Sequence, residues 1–118
     1  LEPIMTIQFY TWLHLAGISL TLLAVGGLAH GRDSNRKLLS IAHGVGLLVA
    51  LVGGFGLVAK YGIPWPWPGW LIVKMVLWLI FGASTALLKR MPHLSTPIWW
   101  GAWGVFLIAA YLGVHRPF

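Results

Sequence analysis

The chain has 118 residues, of which 58% are hydrophobic and only 8% charged, with a mean hydropathy of +0.83. A soluble domain carries about 25% charged residues, so this composition excludes a water-coated globule and implies a one-domain integral membrane protein. The absence of cysteine excludes disulfides and thiolate metal sites. The net charge of +6, with Glu2 and Asp33 the only acids, fits membrane topology and anionic lipid headgroups, not nucleic acid.

The first apolar run spans about Ile4 to Leu28, near the roughly 20 residues that cross a bilayer. No cleavable signal peptide is expected, because the run lacks a basic leader and does not end in an A-x-A-like site. Thr11, His14, Gly17 and Thr21 recur at steps of three and four, which puts them on one helix face. A face with a histidine and two hydroxyls suits an interior better than lipid. The polar link HGRDSNRK (30–37) follows, with Ser34 or Asn35 as the expected cap of the next helix. The second run spans about Leu38 to Ala59 and carries Ala42, Gly46, Ala50 and Gly54 at strict steps of four, with Gly53 beside them. Such a seam predicts close helix packing; room for a flat cofactor against the backbone is the sharper alternative.

Residues 60–69, KYGIPWPWPG, contain three prolines, which forbid regular helix. The third run spans about Trp70 to Leu88 and holds one charge, Lys74, within GWLIVKMVLWLIF (69–81). Lys74, Trp78, Phe81 and Thr85 share a face, with Ser84 adjacent. KRMPHLSTP (89–97) closes that helix, and Ser95 or Thr96 with Pro97 opens the fourth run, about Ile98 to Val114. Long-window alternation is absent, which argues against barrel strands. Short links make neighbouring helices antiparallel. The expected fold is an all-α, integral membrane four-helix bundle of up-down-up-down topology, a single transmembrane domain over residues 1–118.

The first and third links carry Arg32, Arg36, Lys37, Lys89 and Arg90. The positive-inside rule puts them in the cytoplasm, with both termini outside. Trp65, Trp67 and Trp70 are then expected at the outer headgroups, and Trp99, Trp100 and Trp103 in an inner belt. At 1.5 Å per residue His14 falls on the order of 14 Å inside the outer end of its helix, and Lys74 roughly 8 Å inside. With side-chain reach the two can meet on one outer-leaflet site between the first and third helices. His43 lies roughly 8 Å from the inner end of the second helix, about 10 Å too deep to share an axis with His14.

Histidine is the commonest haem ligand in helix bundles. His14 is therefore a candidate for iron ligation or proton handling, against the plainer role of a neutral, hydrogen-bonded histidine. Lys74 either snorkels to the headgroups or has a buried functional role. His43 packs or ligates, while His30, His93 and His115 lie in links or tails and are expected to be solvated. Two-acid catalysis, phosphate-binding glycine loops, i, i+4 metal histidines and midplane transport acids have no counterpart in this sequence.

WLHLAGISLTLL, IAHGVGLLVALVGGFGL and GWLIVKMVLWLIFGASTALLKR resemble the small SirB family of bacterial membrane proteins and, more distantly, HemJ-type protoporphyrinogen oxidases. The shared features are His14 and the W-L-x-x-K lysine of Trp70-Leu71-Lys74, with His43 matching a second SirB histidine; Ala42 stands where the SirB pattern has proline. The resemblance implies bound haem b, with Lys74 and His14 as functional residues, and porphyrinogen oxidation as one activity. The resulting expectation is a haem- or porphyrin-associated protein of the bacterial inner membrane. His14 would be the iron ligand, Lys74 a second ligand, propionate partner, proton donor or catalytic group, and Gly17 and His43 would adjoin the cofactor. The alternative from another class is an accessory subunit without a cofactor, packing into a larger membrane complex or a homo-oligomer.

Overall fold

A computed structural model describes residues 2–30 and 35–118. Four helices follow one another: α1 (Glu2–His30), α2 (Arg36–Lys60), α3 (Gly69–Arg90) and α4 (Ser95–His115), with a 3₁₀ turn at Pro92–Leu94 before α4. All four are long and apolar enough to cross a membrane, so the chain is a multi-pass, all-α four-helix bundle. Each helix runs a few residues beyond its apolar run. The polar ends keep their backbone bonded within the helix as they leave the hydrocarbon.

The outside of the bundle is apolar. Trp12 (73% exposed), Leu23, Leu48, Leu79 and Val114 all point outward, as lipid-facing side chains do. Inside, Val25, Leu28, Phe81, Leu88 and Ala102 form one core cluster, and Trp70, Leu71 and Leu112 a second. The first lies towards the end that carries Lys89 and Arg90. The second lies towards the end that carries the α2–α3 link and the last turn of α4, here called the terminal face.

The α1–α2 pair is by far the most intimate in the bundle, whereas α2 and α3 approach each other sparingly. The sequence explains the difference. A Cβ on Gly17 would run into the Ala50 backbone, and one on Gly46 would lie 2.8 Å from the Gly17 carbonyl. Backbones can come that close only where side chains are absent. Along Gly46, Ala50 and Gly53 the small-residue seam of α2 is therefore filled by α1.

The helix caps differ from expectation. Asn35 is the N-cap of α2 but makes no side-chain cap bond; α4 opens at Ser95, as expected, with Leu94 as its N-cap and no side-chain cap bond. Ser34 lies outside the described residues. At the other end of α2, Gly62 adopts φ 67°. Its N–H bonds to Ala59 O at 3.2 Å and the N–H of Ile63 bonds to Val58 O at 3.1 Å. That closure needs the left-handed residue glycine provides, and it turns the chain sharply into the proline-rich link.

Candidate functional site

Between the two core clusters the four helices enclose a cavity of about 460 Å³. His14 of α1, Gly54 of α2, Lys74 and Trp78 of α3, and Ala110 and Gly113 of α4 all border it. Ligand sites run to about 300–1,000 Å³ and are mostly apolar with a few convergent polar groups. This cavity fits that pattern. Another hollow, of about 490 Å³, lies on the flank between α1 and α4. Its one hydroxyl, on Ser19, donates back to Ala16 O, leaving nothing to direct a ligand.

The His14 ring is oriented by one hydrogen bond. Its Nδ1 lies 2.7 Å from the carbonyl oxygen of Ala50. A carbonyl can only accept, so Nδ1 carries the proton. In the neutral ring Nε2 then has a free lone pair. Gly54 makes room for the ring: a Cβ there would lie 3.3 Å from Cε1 and 3.4 Å from Nδ1.

Lys74 lines the same cavity without bonding to His14. Its ammonium turns towards α4, where a Cβ on Gly113 would lie 2.8 Å from Nζ. Lys74 is half-buried, so it neither streams fully to the headgroups nor bridges to His14. The expected His14–Lys74 pair is thus a shared cavity wall, not a direct contact.

The remaining expected residues take other roles. Gly17 is buried in the α1–α2 contact and does not line the cavity. His43 is 3% exposed and also lies off the cavity. Ser84 Oγ donates to Phe81 O at 2.6 Å, which uses its only proton. The 3.3 Å contact between Ser84 Oγ and His43 Nε2 must then have the histidine as donor. His14 and His43 are therefore opposite tautomers, with Nε2 unprotonated in His14 and protonated in His43.

The two hydroxyls of the α1 stripe bond back to their own helix, Thr11 to Ile7 O at 2.8 Å and Thr21 to Gly17 O at 2.7 Å. Among the described residues no buried side-chain nitrogen or oxygen lacks a partner. His30, His93 and His115 are exposed, as expected. Trp70 corrects the aromatic-belt assignment. It is 8% exposed and packs inward with Leu71 and Leu112, because it opens α3 beneath the end of α4.

The sequence reading passed over Arg116. It follows the last turn of α4, borders the cavity, and stacks its guanidinium 4.7 Å from the Tyr61 ring centroid and 5.2 Å from that of Trp70. The available signal was its place just after the helix and just before Pro117.

The chain matches no family model, no curated protein and no solved structure. The site therefore rests on its own chemistry. An iron porphyrin ligated by histidine needs an unprotonated imidazole nitrogen beside an apolar space. His14 supplies the nitrogen and the cavity the space. No group of three or more metal-binding side chains exists among the described residues, and His14 is the one histidine among those that line this cavity.

Proposed function

We propose that the chain is a small inner-membrane protein that holds a porphyrin, haem b by preference, in the cavity between its four helices. The observation that carries this reading is that His14, fixed by its hydrogen bond to Ala50, lines an apolar cavity. Metal-ligating histidines characteristically donate their other ring N–H to a carbonyl or carboxylate, which fixes the tautomer and the ring orientation. His14 has that arrangement and lines the cavity. Haem, when bound, supplies one-electron redox chemistry. Within the chain, Ala50 orients the imidazole and the apolar walls exclude water. Lys74 holds a positive charge, and a transferable proton, at Nζ. The SirB and HemJ resemblance supports the same assignment, with porphyrinogen oxidation as the reaction class that a haem–lysine pair would serve.

The basic links set the orientation by the positive-inside rule, with the terminal face outside. The test is an absorption spectrum of detergent-purified protein, taken before and after haem supplementation. A Soret band that disappears in His14→Ala is the expected result. A colourless wild type that takes up no haem, or an unchanged spectrum in His14→Ala, overturns the assignment. The hollow flanked by exposed Trp12 favours a second reading, an accessory subunit. A pigment-free protein that co-purifies with a stoichiometric membrane partner would establish it. Complementation of a strain lacking porphyrinogen oxidase tests the enzymatic form.

A further inference from the structure

We infer that Lys74 and Arg116 form an oxyanion site at the mouth of the cavity, for the charged head of an amphiphile whose apolar body lies between the helices. The inference concerns the same cavity as the porphyrin reading but stands whether or not iron binds His14. Both cations line that cavity, at its terminal-face end. Lys74 Nζ lies against Gly113, and Arg116 follows three residues later.

Arg116 is built into its position. It adopts φ 47°, a left-handed conformation that side chains other than glycine seldom take. Its N–H closes α4 by bonding to Leu112 O at 3.0 Å. The strained turn sends the side chain back across the mouth, over Tyr61 and Trp70, when it could have extended to water. Stacking fixes the plane of the guanidinium. Nε reaches Gly113 O at 3.4 Å, so the two terminal NH₂ groups remain for a ligand. A planar guanidinium with a free edge suits a carboxylate or phosphate, and an adjacent ammonium adds a point charge.

Among the described residues the cavity wall carries no carboxylate side chain. No hydrogen-bond acceptor holds the Lys74 ammonium among the described residues. Lys74 is half-buried in an otherwise apolar wall while Arg116 reaches solvent at the mouth, so an anion held between them would offset the cost of the partly buried ammonium. The rest of the wall is apolar, with Leu51, Phe55, Leu77, Val105 and Phe106. An oxyanion on a hydrophobic body therefore matches both parts of the site.

The test compares acid and ester forms of two probes, in neutral detergent, with the unmodified chain. One pair is metal-free protoporphyrin and its dimethyl ester. The other is the fluorescent fatty acid cis-parinarate and its methyl ester. The acid should bind at least about tenfold more tightly than its ester, the size of one charge-assisted hydrogen bond. The preference should shrink with added salt, fall in Lys74→Gln and Arg116→Gln, and survive in Lys74→Arg. Competition by phosphatidate but not inorganic phosphate would assign the anion to a lipid headgroup, and competition by both to the oxyanion alone. Equal affinity for acid and ester in both pairs, or binding of neither pair, overturns the inference. A preference confined to the fatty acid, with no porphyrin bound, would keep the oxyanion site and refute the porphyrin reading.

Discussion

Gly53→Ala should separate α1 from α2 and displace His14 at the same time. A Cβ at position 53 would lie 2.5 Å from the backbone nitrogen of His14, 2.7 Å from its Cα and 2.9 Å from its Cβ. None of these is the end of a flexible side chain, so no rotamer change relieves the clash. Bringing the closest contact out to ordinary van der Waals range, about 3.5 Å, opens the helix pair by roughly 1 Å. Overpacking of this kind costs about 1–3 kcal/mol, and three backbone-proximal contacts put it near the upper end. Alanine's better helix propensity returns at most about 1 kcal/mol, so the net loss is about 2 kcal/mol. Gly44→Ala is the internal control, because a Cβ there meets nothing within 4 Å. Unfolding by SDS titration in mixed micelles, followed by circular dichroism, reads both. Gly53→Ala should unfold well before wild type, and Gly44→Ala no earlier than wild type. The His14–Ala50 bond spans the same contact, so Gly53→Ala should also weaken haem uptake. Equal stability of the two alanine variants would refute this account of the α1–α2 interface.

Ser84→Ala removes the acceptor of the buried His43 N–H and should cost about 1–3 kcal/mol in the same titration. Porphyrin uptake should survive, because His43 does not line the cavity; its loss would return His43 to the site. Ala110→Leu places a larger side chain on the cavity wall. It should block ligand uptake while leaving the fold intact by circular dichroism; unimpaired uptake would locate the ligand elsewhere. The chain has no cysteine, so single substitutions report topology without background. Lys60→Cys should react with an impermeant maleimide on intact spheroplasts, and Lys89→Cys only after permeabilisation. The reverse pattern would invert the orientation.

The spans were legible because apolar run length alone distinguishes a bilayer-crossing helix. Their ends were underestimated by a few residues, since Arg36, Lys60, Lys89 and Arg90 remain helical after the hydrocarbon is left behind. The interior stripe on α1 was legible from its period, and His14 and Thr21 do line the cavity. The seam on α2 was also legible, but whether a helix or a cofactor fills it depends on what docks there. The His43–Ser84 bond joins residues 41 positions apart. Arg116 reads as a tail cation, and only the left-handed turn at the end of α4 brings it back over Tyr61 and Trp70. Trp70 was misassigned because composition near a helix end marks the interface without saying which way the ring turns.

The His14–Ala50 bond by itself does not separate a ligand from a structural histidine, because both roles use one. The contrast with His43 is what favours the ligand proposal. His43 lies in a packed layer, almost without exposure, and donates from Nε2 across to α3. Nothing about that role needs empty space. His14 donates from Nδ1 to the adjacent helix and faces a cavity of about 460 Å³. Helices in lipid associate largely through close packing, and a void forfeits dispersion contacts on every wall. A purely structural His14 would be better served by large side chains where Gly54, Ala110 and Gly113 now stand. The small residues are grouped where the unprotonated histidine and the two cations converge. That coincidence, more than any one contact, is what supports the proposal that the cavity binds a ligand.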